Sequence, residues 1–220
     1  MEVVGTSNVI ALAARNKVRR FIFASSSEVY GDSDKPMVEE GPFNPKSTYA
    51  LTKLIGEHFC MAYYQKYKLE YTGLRYFNVY GPRQDDRFVL SRFVNRALAG
   101  QELYIYGDGQ QTRDFTYIED SVHMSLLAGV MQEGGNQILN FGTGKEVSIN
   151  SLADMVLKAL DLKGQVKTSY VNYDRLRSRE IEVFNRLADT KKAEGLLGYK
   201  PATDLKTGIS KYMDWYKSRG

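Results

Sequence analysis

The sequence predicts an α/β protein built on a parallel sheet, with a second, smaller α/β region following it. Three observations carry that reading. Short β-rich runs alternate with helix-length apolar periodicities over the first 82 residues, as when parallel strands are joined by helical crossovers. From Arg83 the texture changes to shorter runs separated by glycine turns. At 220 residues, with 43% hydrophobic and 25% charged side chains, the chain can bury a sizeable core in one or two lobes.

The elements follow in order. Residues 2–16 carry Val3, Val4, Val9, Ile10 and Ala13 at helical spacing. Residues 20–24 are a short β-rich run, and Phe21 to Gly31 reads as a buried strand ending in a hydroxyl-rich turn. Pro36, Gly41, Pro42 and Pro45 mark a long loop over 31–46. Ser47 is an N-cap for a helix reaching about Tyr67. Tyr71 to Phe77 is strand-like and closes at Asn78 and Gly81-Pro82. A helix over 88–99 leads to Leu103-Tyr-Ile-Tyr106, Gly107-Asp-Gly109 and Asp114-Phe-Thr-Tyr-Ile118, two β-rich runs about a glycine loop that predict a hairpin. A helix over 120–131 precedes a strand at 137–141 and the turn Gly142-Thr-Gly144. Ser148 or Asn150 caps a helix ending near Leu162. An arginine-rich loop at 175–179, a short helix at 189–197 and a closing helix at 204–217 complete the chain.

Composition narrows the partners. The net charge is only +4 and basic residues are interleaved with acids, so nucleic acid is not expected. No apolar run approaches the roughly 18 residues that span a bilayer, and the N-terminus lacks a signal-peptide pattern, so neither membrane nor export is expected. Cys60 is the single cysteine, which excludes an internal disulfide and fits a reducing cytoplasm. His58 and His123 stand alone, so no metal site is expected.

The chemistry concentrates in Ser26, Tyr49 and Lys53. Lys53 follows Tyr49 by four residues, so the two share a helix face. A serine, a tyrosine and a lysine so placed make a proton-transfer set for a sugar hydroxyl or ketone. Free tyrosine titrates near 10 and is a poor base at neutral pH; a neighbouring ammonium would favour the phenolate. By itself the spacing is common, and Tyr64 and Lys68 repeat it. What distinguishes Tyr49 and Lys53 is that they open a helix, after a loop, after a strand ending Ser25-Ser-Ser-Glu-Val-Tyr-Gly31. Glu28 lies two residues past Ser26; its plain alternative is to cap the turn or face solvent. Tyr104 and Tyr106 alternate on one strand, share a face, and could stack on a base or simply pack.

In this order and spacing the motifs resemble the extended short-chain dehydrogenase/reductase family, in its sugar-nucleotide epimerase/dehydratase branch. The resemblance runs almost the whole chain: Val4 to Val9, the serine run Phe21 to Gly31, the Tyr49/Lys53 pair, Leu74 to Arg83, Gly107-Asp-Gly109 with Arg113 to Asp120, Asn140 to Gly144, and Ala188-Asp189 through Leu197 to Pro201. It implies a Rossmann-like NAD domain, of which residues 1–82 are the later part and to which 120–144 return, and a mainly substrate-binding domain over 83–220. It implies that Ser26, Tyr49 and Lys53 are catalytic, with Glu28 beside them. Ser25, Tyr49, Lys53, Tyr76, Phe77 and Val79 would meet NAD. Ser26, Asn78, Arg83, Tyr104, Tyr106, Arg113 and Arg177 would meet the nucleotide sugar. Guanidinium forks suit phosphate oxygens on chemical grounds alone, which fits Arg113 and Arg177 to a diphosphate; Arg175 and Arg179 read as solvated.

No glycine-rich dinucleotide turn occurs in these residues. The family carries one near its N-terminus, so the resemblance implies that this chain starts after it. That reading expects weak NAD binding and an exposed apolar sheet edge that favours poor solubility or pairing with another chain. The activity implied first is an NAD-dependent epimerase acting on a UDP-hexose through a transient 4-keto sugar. The alternatives are a UDP-glucuronate decarboxylase or another sugar-nucleotide dehydratase, or a non-catalytic fragment that binds nucleotide sugar. Ser27 stands where the 4,6-dehydratases of the family carry aspartate, which argues against that chemistry. Leu51, Leu54, Ile55, Phe59, Met61, Ala62 and Tyr63 spread apolar surface around the Ser47–Tyr67 helix, which predicts a homodimer.

Overall fold

Strand β1 (Arg20–Ser26) and strand β2 (Glu70–Tyr76) lie parallel, with Ser25 opposite Arg75 and Ser26 opposite Tyr76. Parallel neighbours need a long crossover. Here it comprises a 3₁₀ turn (Ser27–Tyr30), the proline-rich loop and helix α2 (Thr48–Tyr67). The computed structural model describes residues 2–173 and 182–218. Ser47 caps α2, its Oγ accepting from the Ala50 N–H at 3.1 Å. Helix α1 (Glu2–Arg15) packs against α2.

The third strand of this sheet comes from much later in the chain. Strand β6 (Gln137–Phe141) pairs parallel with β2 and sets Asn140 opposite Arg75. Alternation along β2 splits its side chains between two cores. Tyr71 joins Ile10, Phe23, Cys60 and Ile138 under α1 and α2. Leu74 joins Met124, Ala128, Leu139 and Phe141 on the opposite face, under helix α4 (Ile118–Val130) and helix α6 (Lys191–Leu197). Strand β1 pairs with β2 alone among the described residues, and Ile22 on it is exposed. Val122, Leu126 and Val130 make an exposed apolar stripe on α4. No helix among the described residues is long and apolar enough to cross a membrane.

The second region is built around a larger core that includes Tyr80, Phe93, Leu103, Ile105, Leu152 and Tyr212. Strand β3 (Asn78–Tyr80) pairs parallel with β5 (Thr112–Tyr117), and β7 (Glu146–Ser148) pairs antiparallel with β5. Strand β4 (Leu103–Tyr106) pairs parallel with β8 (Thr168–Val171). Helices α3 (Val89–Leu98), α5 (Ile149–Ala159) and α7 (Leu205–Lys217) enclose them.

The hairpin expected over 103–118 does not form: β4 and β5 belong to different sheets. The Gly107-Asp-Gly109 turn is instead tied to the start of α5. Asn150 Nδ2 donates to the Asp108 carbonyl at 2.9 Å, and the Asn150 N–H donates to the Gly109 carbonyl at 3.1 Å. The turn's acceptors are thus taken up by a helix N-terminus, and the two strands part. A second feature was not anticipated. Residues 188–197 return to the first sheet, through a parallel bridge of Ala188 with Met37 and the packing of α6 on β6.

Helix α2 lies very close to β1. A Cβ at Gly56 would overlap the Phe23 ring, and Phe23 is itself buried. Gly56→Ala therefore overpacks this contact. Its expected cost is about 1–3 kcal/mol, read as a lower urea midpoint at unchanged m-value.

Candidate active site

The parallel strands β1 and β2 end together, and a cavity of about 440 Å³ opens at their carboxyl ends. Its walls include Ser25, Ser26, Ser27 and Glu28 after β1, Tyr49 and Lys53 on α2, and Tyr76 to Val79 after β2. Phe88, Val89, Leu90 and Phe115 supply an apolar wall from the second region. Crevices at the carboxyl ends of parallel strands are where such sheets take ligands.

Ser26 sits in extended conformation as the N-cap of the 3₁₀ turn, its Oγ accepting from the Glu28 N–H at 3.2 Å. Tyr49 lines the cavity with 42% of its surface exposed. The Lys53 ammonium lies 5.3 Å from the centre of the Tyr49 ring and 5.7 Å from that of Phe23. Glu28 neither merely caps the turn nor faces open solvent. Its carboxylate lines the cavity, accepts from Ser47 Oγ at 3.3 Å and lies 3.8 Å from Arg186 Nη1.

Burial raises the Tyr49 phenol above the ordinary tyrosine value. The nearby Ser26 hydroxyl works the other way; the Glu28 and Glu2 carboxylates add to the rise and Arg186 opposes it. Burial outweighs the other influences on this phenol in the unliganded chain, and Lys53 is not among the groups that shift it.

Arg186 was not singled out in the sequence. It is 8% exposed, lines the cavity, and its Nε has no hydrogen-bond partner among the described residues. Burial pushes its guanidinium down to about 10, with repulsion from Arg113 adding and Glu28 opposing. Its sequence signal was slight: it precedes the Ala188-Asp189 motif by two residues. Gln84 also lines the cavity unforeseen, donating from Nε2 to the Val79 carbonyl at 2.8 Å.

The expected ligands divide between the cavity wall and places outside it. The Ser25 hydroxyl donates to Glu57, so Ser25 turns its side chain towards α2. The Tyr76 hydroxyl is 2.8 Å from Ser125 Oγ on α4. Phe77, Asn78 and Val79 line the cavity, and the Asn78 Oδ1 is buried without a partner among the described residues. Arg83 is exposed at φ 68°. Tyr104 is exposed under the Arg96 guanidinium, 4.4 Å from its ring centre, and Tyr106 stacks on Tyr173 at 6.3 Å. Leu103 and Ile105 claim the buried face of β4, which turns both tyrosines outward. Arg113 is buried in an ion pair with Glu182 and donates to the Thr112 carbonyl at 2.7 Å. Arg177 lies outside the described residues.

A serine, tyrosine and lysine grouped at the carboxyl ends of a parallel sheet define a short-chain dehydrogenase/reductase type of site. The family model for GDP-mannose 4,6-dehydratase matches residues 1–212, and the chain belongs to the extended short-chain dehydrogenase/reductase family of sugar-nucleotide epimerases and dehydratases. It is 40% identical to a Methanocaldococcus jannaschii protein provisionally named UDP-glucose 4-epimerase, over 99% of this chain and 70% of that one. It is 31% identical to a UDP-N-acetyl-alpha-D-glucosaminuronate decarboxylase of Bacillus cytotoxicus, over 97% of this chain and 68% of the other. Among solved structures, MoeE5 in complex with UDP-glucose and NAD superposes with a TM-score of 0.90 at 33% identity, covering 99% of this chain and 71% of MoeE5. Across four curated relatives the chain spans between 62% and 70% of their length.

The electrostatics yield a titration. In the unliganded chain, ¹³Cζ-tyrosine NMR should place Tyr49 above the ordinary tyrosine value of about 10. Glu28→Gln removes a negative charge that opposes the phenolate, so the Tyr49 midpoint should fall. A rise in that variant would contradict the arrangement.

Proposed function

We propose that this chain forms the catalytic and substrate-binding part of an NAD-dependent UDP-hexose 4-epimerase. The observation that carries the reading is the convergence of Ser26, Tyr49 and Lys53 with Phe77, Asn78 and Val79 on one cavity. The nicotinamide–ribose end of NAD fits this donor set: Tyr49 and Lys53 offer ribose partners, and Ala24 and Phe77 offer apolar wall. NAD, when bound, supplies hydride uptake and return at the sugar C4.

In this reading the chain's own groups move the proton and hold the sugar. Tyr49 Oη takes the proton of the 4-hydroxyl and later returns it. The Ser26 hydroxyl shares a hydrogen bond with the same oxygen. The Lys53 ammonium adds positive charge beside Tyr49. The Asn78 amide NH₂ donates to the diphosphate. Arg113 and Arg177 remain candidates for that diphosphate, with Arg113 having to leave Glu182 to reach it. Residues 1–82 together with 120–144 carry the NAD-side half, and 83–220 mainly the nucleotide-sugar half. Exposed Val4, Val9 and Leu12 on α1 and Leu51 on α2 suit pairing of two copies through these helices. The single buried thiol of Cys60 suits a cytoplasmic location.

One observation favours a second reading, UDP-glucuronate decarboxylation. Glu28 and Arg186 face one another on the wall that holds Ser26. A guanidinium with Nε unpaired among the described residues suits a sugar carboxylate, and an acid beside a 4-keto uronate could deliver the proton that the C5 enolate takes up once carbon dioxide departs.

The test uses protein expressed from the complete reading frame containing these residues, with NAD and either UDP-glucose or UDP-glucuronate. The epimerase reading expects UDP-hexose interconversion. Tyr49→Phe should slow it by about 10²–10⁴-fold with UDP-sugar binding retained. Glu28→Gln should cost less than about tenfold, under roughly 1.4 kcal/mol of barrier. Carbon dioxide release from UDP-glucuronate, lost in Glu28→Gln and in Arg186→Met, would install the second reading. Near wild-type turnover in Tyr49→Phe would reject both.

A further inference from the structure

Helix α2 carries the proton-transfer pair, yet its apolar side chains face more than one core: Phe59, Met61 and Tyr63 pack in the core with Cys60, and Leu54 in the core with Tyr30 and Phe77. They spread around the helix, and its buried residues are Ala50, Gly56, Glu57 and Cys60. Three of these are small and present a smooth surface to the sheet. The fourth, Glu57, is the only long side chain among them, and it is 1% exposed.

Tyr49, Lys53 and Glu57 stand at successive steps of four residues, so they share one face over about 12 Å of helix. At its far end Glu57 is gripped from both strands of the sheet. Ser25 Oγ on β1 donates to Glu57 Oε1. Arg75 on β2 donates from Nε to Oε1 at 2.8 Å and from Nη2 to Oε2 at 2.7 Å. Arg75 is held in turn. Its guanidinium lies over the rings of Tyr30 and Phe43, 4.8 and 4.6 Å from their centres. Its Nη1 donates to Tyr30 Oη at 2.7 Å and to the Glu39 carbonyl at 2.8 Å. Ser25 directly precedes Ser26, the hydroxyl that faces Tyr49.

We propose that Glu57 is a positioning residue: through Ser25 and Arg75 it sets the rotation of α2 against β1 and β2, and so places Tyr49 and Lys53 against Ser26. Side chains ride about 5–6 Å from a helix axis, so a 10° rotation moves their ends by about 1 Å. A misplacement of that size at a reacting group can cost on the order of 10²-fold in rate. Buried ion pairs add little net stability compared with apolar residues of similar volume, whereas their geometry is specific. Placement is therefore what this pair contributes to the helix. The catalytic consequence rests on the epimerase or decarboxylase reading; the geometric one does not.

The experiment separates the two. The 220-residue chain is labelled with ¹³Cζ-tyrosine, and the Tyr49 signal is assigned by its loss in Tyr49→Phe. Ser25→Ala removes the donor from β1 and leaves the Arg75–Glu57 pair intact; Glu57→Gln removes the charge. Each should raise the Tyr49 midpoint by about half a pH unit or more, roughly threefold in the dissociation constant, as the Ser26 hydroxyl moves away from the phenol. Ser25→Thr keeps a hydroxyl and should keep the wild-type midpoint. Met124→Ala, a core truncation on the opposite face of the sheet, should lower the melting temperature and leave Tyr49 unmoved. In enzyme from the complete reading frame, Ser25→Ala should lower kcat at least about tenfold with KM near wild type. An unmoved Tyr49 midpoint in Ser25→Ala, and in Glu57→Gln where that variant folds, would overturn the proposal and leave Glu57 a merely structural residue. A moved midpoint without any turnover in wild-type enzyme would retain the clamp and sink the epimerase reading instead.

Discussion

A buried row of polar side chains crossing the first sheet is the constraint on which this molecule depends. Ser25, Arg75 and Asn140 stand in register on β1, β2 and β6, and Glu57 reaches down to the first two from α2. None of these groups meets bulk water, so each must find its partner within the protein. The consequences spread outward. Arg75 takes the Glu39 carbonyl and the Tyr30 hydroxyl, which draws in the proline-rich loop and the 3₁₀ turn. Asn140 accepts from Tyr30 Oη at 2.6 Å and donates from Nδ2 to the Met37 carbonyl at 2.8 Å. A charge left unpaired there would be far more costly than the pair is stabilising, so the elements are satisfied together.

A second carboxylate does for the cavity's far wall what Glu57 does for α2. Asp114 on β5 is buried, and burial raises its carboxyl above the ordinary range while its hydrogen bonds lower it. Oδ1 accepts from the Thr143 N–H at 2.8 Å, and Oδ2 from the Gly144 N–H at 2.9 Å and the Ala188 N–H at 3.4 Å. Gly142 permits this approach, because a Cβ there would crowd both Asp114 and Ala188. The turn after β6 and the segment before α6 are thereby pinned to β5. Arg186, two residues before Ala188, is delivered to the cavity as a result. Its neighbour Arg113 is occupied by Glu182, so the two guanidiniums are separated in role by the carboxylates beside them.

Much of the fold was legible because it is local. Helical spacing, the Ser47 cap and the β-rich runs read at 20–24 and 71–77 report backbone preferences set within a few residues. The serine run and the Tyr49/Lys53 spacing were legible for the same reason, as was the family they mark. The parting of β4 and β5 was not, because a glycine turn looks alike whether its carbonyls are met across a hairpin or by the start of a helix forty residues later.

By itself, then, the sequence determined the main helices and the strands of the first sheet, the helix face shared by Tyr49 and Lys53, and the membership of an extended short-chain dehydrogenase/reductase family. Only the tertiary structure decided which charges meet. Arg186 comes to Glu28 across 158 residues, Arg113 to Glu182 across 69, and Lys53 stands over the Tyr49 ring. The reason is that burial sets the energies of these groups, and burial is a property of packed segments distant in sequence. The raised phenol of Tyr49 is the clearest case: its spacing from Lys53 is written in the chain, but its desolvation is not.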